Sequence, residues 1–235
     1  MKHLFIFLSF LLAATTVGAQ NEWYECTYQE KLDLGDKVNS VDEAALEFIK
    51  AFLEKRKSFY TLTFADGKSL FEKNRELSDD DMTGDAVPVY FTDFGDGMQT
   101  VSHNFFGRTF IITDSLELPT WTLVEEQSEI GGRLCAKATT GDSVVITAWY
   151  SLETRIPAGP LNFVGLPGLV VELEMGPVTY TLTEMKVLDK DPKLKVPSKG
   201  KKVTKEEYEE IVKKKMEEHG FSMPGGGGVK VIGNF

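Results

Sequence analysis

Between Trp23 and Leu188 the chain repeats one device: short runs with apolar residues on every second position, separated by Gly, Asp, Asn or Pro. A period of two marks a strand with one buried and one wet face, because successive side chains leave a pleated backbone on opposite sides. "EWYECTYQEKLDL" (22–34) sets Tyr24, Cys26, Tyr28, Leu32 and Leu34 on alternate positions. "SFYTLTFADGKSLFEKN" holds two such runs around Ala65-Asp66-Gly67-Lys68, and Asp-Gly suits the positive-φ positions of a type I′ hairpin. The pattern returns in "VPVYFTD", "MQTVSHNFF", "RTFIITDSL", "TWTLVEEQ", "GRLCAKAT", "SVVITAWY", "GLVVELE" and "VTYTLTEMKVL". In the last of these Val178, Tyr180 and Leu182 share one face, and Thr179, Thr181 and Thr183 share the other. Closely spaced strands with turn-forming separators predict an antiparallel meander in a sandwich or barrel.

Two stretches follow a helical period instead. In "SVDEAALEFIKAFLEKRKSF", Leu46, Ile49 and Leu53 with Phe48 and Phe52 form a stripe, and Ser40 with Glu43 fits a capping box. "KEEYEEIVKKKMEEH" carries Tyr208, Ile211, Val212 and Met216 as its apolar stripe, with Thr204 and Glu207 placed to cap it and Gly220 to end it. "DKDPKLKVPSKGKK" is a basic, proline-punctuated connector ahead of this second helix, and "SMPGGGGVKVIGNF" follows it as a tail. The expected layout is a leader at 1–19, a curved antiparallel β domain at 20–188 with a helix near 41–58, a connector at 189–203, a docked helix at 204–220 and a flexible tail at 221–235.

"LNFVGLPGLVVELE" (161–174) interrupts the strand pattern. Upstream, Pro157 and Pro160 remove ladder donors, so "RIPAGPLNF" is no regular central strand. Pro167 pre-sets φ and Gly168 accepts a positive φ, which predicts a type II turn over Leu166–Leu169. Gly165 is expected to let another backbone come close. The stretch therefore reads as a corner that ends an irregular crossing and launches the strand "LVVELE".

The first twenty residues, "MKHLFIFLSFLLAATTVGAQ", have the parts of a secretory leader: Lys2, an apolar run from Leu4 to Ala14, and Val17-Gly18-Ala19 before Gln20. The apolar run is too short to cross the roughly 30 Å hydrocarbon core as a helix. No later run is apolar for long enough either, so an integral membrane protein is not expected. The net charge of −10 becomes one unit more negative when Lys2 leaves, and an acidic chain repels phosphate backbones. Nucleic acid is accordingly no expected partner.

Cys26 and Cys135, an even pair in an oxidising compartment, point to a disulfide, with two separate buried thiols as the alternative. His103 and His219 lack a second ligand at metal-site spacing, and "SDDDMTGD" lacks the alternation of a calcium loop. Gly67-Lys68-Ser69 has Leu62 where a phosphate loop needs its first glycine. No catalytic residue, metal or cofactor is assigned. "VKVIGNF" alternates up to its terminal Phe235, as the last strand of an outer-membrane barrel does, but two capped helices and a glycine run argue against a barrel.

"AWYSLETRIPAGPLNFVGLPGLVVELEMGPVTYTL" (148–182) closely resembles the GLPGLI family, exported proteins of Bacteroidetes-type bacteria that take their name from this motif. The family motif maps onto Gly165, Leu166, Pro167, Gly168 and Leu169, with Val170 where isoleucine is usual. Trp149, Tyr150, Pro157, Gly159 and Pro160 are its neighbours, and "TWTLVEEQSEIGGRLCAKATT" extends the likeness upstream through Trp121 and Cys135. The resemblance covers most of 59–188 and brings no reaction with it. It implies a fold distantly similar to the periplasmic lipoprotein carriers, a curved sheet or half-barrel wrapped around one or two amphipathic helices. The expected function is that of a non-enzymatic envelope protein, periplasmic or secreted, binding an apolar or lipid-like ligand in the concave sheet. The alternatives are an accessory module presenting residues 157–169 to an envelope protein, and a metal-assisted hydrolase using His103 or His219.

Overall fold

The computed structural model describes residues 23–33, 56–79, 87–142 and 144–219. In chain order its strands are β1 (Trp23–Leu32), β2 (Ser58–Ala65), β3 (Lys68–Lys73), β4 (Val89–Asp93), β5 (Met98–Phe105) and β6 (Arg108–Ser115). These are followed by β7 (Thr122–Ile130), β8 (Arg133–Thr140), β9 (Ile146–Ser151), β10 (Val170–Met175), β11 (Val178–Leu188) and β12 (Lys201–Val203), then by helix α1 (Lys205–Glu218). All twelve strands form one open sheet in the order β12-β6-β5-β4-β3-β2-β1-β11-β10-β9-β8-β7. Two meanders, β2 to β6 and β7 to β11, are thus joined through β1, which pairs with β2 on one side and β11 on the other. Every pairing is antiparallel except that of β12, which lies parallel to β6 over three residues and makes the sheet mixed.

The connections force this sheet to bend. Residues 116–121 join β6, second in the order, to β7 at the far end. That link reaches at most roughly 25 Å, whereas ten ladder steps across a flat sheet cover roughly 48 Å. The bend is visible in cross-sheet contacts. A side chain on Gly131, in the β7–β8 turn, would come within 3.9 Å of the Leu182 carbonyl on β11.

One register row lines the inner face: Cys26 stands opposite Leu62, Leu62 opposite Phe71, Phe71 opposite Tyr90, Tyr90 opposite Val101 and Val101 opposite Ile112. All are buried. Tyr28, Tyr60, Phe71 and Tyr180 add an aromatic cluster on this face, with Tyr60 and Phe71 stacked at 5.3 Å and their neighbours edge-on. The β2–β3 hairpin is of type I′, with Asp66 and Gly67 both at positive φ, as its Asp-Gly pair predicts.

Helix α1 packs on the inner face at the β5–β6 end. Its buried Tyr208 meets Phe110 and Phe105 edge-on, and Val212 is buried beside it. Thr204 and Glu207 form the full capping box. A single helix is therefore present among the described residues. Of the helix expected near 41–58, only Arg56, Lys57 and Ser58 are described, and Ser58 opens β2; the leader and the tail also lie outside the described residues. No helix among those described is long and apolar enough to cross a membrane.

Candidate functional site

β9 and β10 are neighbours in the sheet, yet residues 152–169 separate them. A tight hairpin would have sufficed; the chain instead makes an irregular excursion whose apolar residues pack inward. Ile156, Ala158, Leu161, Phe163, Val164, Leu166 and Leu169 are all buried. Irregular backbone can be buried only when its polar groups find partners. Here Gly165 N–H donates to the Pro157 carbonyl, Phe163 N–H to Pro160, Leu169 N–H to Thr154 and Val170 N–H to Ala158, all within 2.9–3.1 Å.

Other elements reach in to fix the crossing. Tyr28 on β1 donates its hydroxyl to the Val170 carbonyl at 2.6 Å. Trp121, at the end of the 116–121 link, donates its indole N–H to the Val164 carbonyl at 3.0 Å and stands edge-on to Phe163. The link that bends the sheet thus also clasps the segment inside the bend.

The two motif glycines exchange the roles expected of them. Gly165 holds the positive φ, +87°, with the Leu118 side chain nearby. Gly168 has no positive φ, so no type II turn forms over Leu166–Leu169. A Cβ on Gly168 would stand 1.9 Å from the Ser151 carbonyl oxygen, which makes it the position of close backbone approach. Leu169 N–H bonding Thr154 and Ser151 N–H bonding the Leu169 carbonyl draw those two backbones together. Leu166 and Leu169 are buried, whereas Gly165 and Pro167 face out. Gly159 is equally confined, since a Cβ there would lie 2.5 Å from the Phe163 carbonyl oxygen.

The motif neighbours gather here. Tyr150 stands opposite Val170, and Trp149 lies under the Lys137 ammonium at 5.2 Å. The expected disulfide is absent: Cys26 and Cys135 are free, buried thiols. β11, β10 and β9 stand between β1 and β8 in the sheet, so the two thiols are not on neighbouring strands. Burial pushes the Cys26 thiol up to about 12, with nearby Arg133 pulling the other way. The Cys135 thiol is also raised, again mainly by burial.

The histidines have structural surroundings. His103 Nδ1 is 2.6 Å from the Tyr208 hydroxyl in the buried contact between α1 and β5, and His219 stacks on Phe106 at 4.8 Å. Among the described residues, no three His, Cys, Asp or Glu side chains are grouped to hold a metal ion.

One polar cluster has no signature in the sequence. Glu30, on the inner side of β1, accepts hydrogen bonds from Tyr60 at 3.0 Å, Tyr180 at 2.9 Å and Arg56 at 2.8 Å. Burial and then the Glu30 charge hold the Tyr180 hydroxyl well above the ordinary phenol range. The carboxylate is charge-matched and hydrogen-bonded, as a buried ion requires. Residue parity on β1 could have placed Glu30 inward; nothing could have named its partners.

Residues 140–172 match the model of a family described as "Protein of unknown function (Porph_ging)". They span β9, the crossing and the start of β10. No curated protein matches the chain in sequence. Among solved structures, PNGF-II in its C2 and P21 crystal forms is similar, with a TM-score of 0.55 and 15% identity in each. The match covers 82% of this chain and 33% of PNGF-II, so the chain spans about a third of that protein's length. The likeness is one of fold.

Proposed function

We propose that the chain is an exported, non-enzymatic envelope protein, periplasmic or secreted, that works as an interaction module through the free edge of β7. The observation carrying this reading is β7 itself: a nine-residue strand at the end of the sheet, paired among the described residues only with β8 and exposed along nearly its whole length. The opposite end is closed by a three-residue strand and the helix that follows it. A long open edge is a template for an added strand, and proteins ordinarily blunt such edges.

The chemistry of the edge selects its occupant. Glu125, Glu126 and Glu129 are exposed on β7, which carries no Lys or Arg, and among the described residues Glu126 alone of the three is ion-paired, to Lys137 at 2.8 Å. An antiparallel second copy centred on Gln127 would set Glu125 against Glu129, and like charges directly opposite are destabilising. The fitting partner is an extended, basic segment of another envelope protein. Gly131 and Gly132 both hold positive φ, the mark of a type I′ turn, so Ile130 and Ser128 bond to β8 while the backbones of Glu129 and Gln127 point outward.

The other readings have less room. α1 and the crossing occupy the inner face where an apolar ligand would lie, and residues 157–169 are mostly interior, so they offer a partner little beyond Gly165 and Pro167. His103 and His219 are engaged as described. The test is an NMR titration with a synthetic heptapeptide, acetyl-Val-Lys-Thr-Lys-Val-Lys-Thr-amide. The amides of Gln127 and Glu129 should shift most, and Glu129→Pro, which removes an outward N–H without touching the β8 ladder, should weaken binding at least tenfold. Equal binding by a folded Glu129→Pro variant, or shifts confined to another surface, would contradict the proposal.

A further inference from the structure

The sheet's outer face carries a feature separate from the β7 edge. After β11 the basic connector turns back over β1, β2, β3, β4 and β5 before joining β12, with Gly200 close enough to β6 that a Cβ there would lie 2.8 Å from the Thr109 carbonyl oxygen. Its central part, Pro192–Lys199, forms a strap. Five strands occupy roughly 19–24 Å, and eight extended residues reach roughly 26 Å, so the strap is drawn nearly straight. Among the described residues its backbone makes no hydrogen bond to the strands beneath; it is held at its ends and by side chains such as Pro192, Leu194 and Pro197. Between strap and sheet lies an open channel of about 690 Å³, within the size range of ligand sites.

The channel floor is small and mixed: Thr63 and Ser102 offer hydroxyls, and Leu70 and Val89 offer aliphatic surface. The strap wall contributes Lys193, Lys195 and Lys199, none of them in an ion pair among the described residues. Glu25 and Glu72 are the carboxylates that face them. A second hollow of about 220 Å³ shares Glu72, Val89 and Ser102 and adds Lys73 and Arg75. Cations thus outnumber carboxylates along the channel in a chain whose net charge is −10.

We infer that this channel binds an extended acidic peptide. Its carboxylates would meet the strap lysines, and its main chain would bond the strap's unused N–H and C=O groups, a mode of recognition that needs an extended ligand. Inorganic phosphate or a compact dicarboxylate would satisfy the lysines and leave the main chain of the strap without partners.

The experiment is fluorescence anisotropy with a labelled octapeptide of alternating Asp and Thr, compared with its Asn-Thr isostere in low salt. The Asp peptide should bind at least tenfold more tightly than the isostere. Lys195→Gln/Lys199→Gln, two exposed positions, should weaken it about tenfold. Ser102→Trp, which fills the channel from below and leaves every lysine in place, should abolish it in a variant with wild-type circular dichroism. Glu129→Pro should leave it unchanged, which separates this site from the β7 edge. If the Lys double variant binds as wild type, or a folded Ser102→Trp variant does, the lysines attract acidic chains without a built site and the inference fails.

Discussion

Cys26 sits in the inner register row with no exposed surface, and its thiol is held neutral up to about 12 against an ordinary value of 9.0. In the unfolded chain the same thiol ionises near its ordinary value. The native state therefore loses stability only as pH rises from about 9 towards 12, by up to roughly 1.4 kcal/mol per pH unit for each such thiol. Below that window the thiol contributes no pH dependence. Thiol titration with a chromogenic disulfide at pH 8 should find no reactive group in the native protein and two per chain in denaturant, and urea midpoints should fall above pH 9. No thiol in denaturant would mean a Cys26–Cys135 bridge. The cysteine count and the expected oxidising compartment suggested that bridge; the structure instead keeps both thiols free, on strands that are not neighbours. Strand order is a non-local property that residue identities do not carry.

At the scale of elements, the crossing 152–169 behaves as a piece of core made without regular structure. Its glycines rank by what surrounds them. Gly168→Ala drives a Cβ into the Ser151 carbonyl, a backbone group tied to Leu169, and relief requires separating two hydrogen-bonded segments. A cost of about 3 kcal/mol or more is expected, at the upper end for overpacking. Gly165→Ala meets the end of the flexible Leu118 side chain and pays mainly for its positive φ, about 1–2 kcal/mol. Urea denaturation of both variants checks the order, and a Gly165→Ala cost equal to or above that of Gly168→Ala would show the close approach to be wrong. The sequence marks both positions as glycine; only the path of the chain shows which constraint acts at which. α1 was readable to its cap because Thr204, Glu207 and the Tyr208–Val212 stripe are local. β12 was not, because three residues inside a basic connector carry no period.

Across the whole molecule, strands β1 to β11 fall on the runs that alternate in the sequence, most of them with one face to water or strap and the other to the core; β7 is the exception, with no buried residue. What alternation cannot tell is order. The first strand lies at the centre between two meanders, and only the short link at 116–121 betrays that the two ends of the sheet approach each other. The proline- and glycine-rich crossing reads as a corner because its composition suits a surface, yet Trp121, Tyr28 and its own backbone bonds hold it inside. Both proposed sites depend on that burial, since a crossing lodged in the bend leaves the β7 edge and the outer channel as the surfaces free to act among the described residues. Native-state hydrogen exchange tests it most directly. The amides of Leu169 and Val170 should exchange as slowly as those of Cys26 and Tyr28 in the centre of the sheet, opening only with global unfolding. Exchange at those two amides as fast as in exposed turns such as Gly107 would contradict the account.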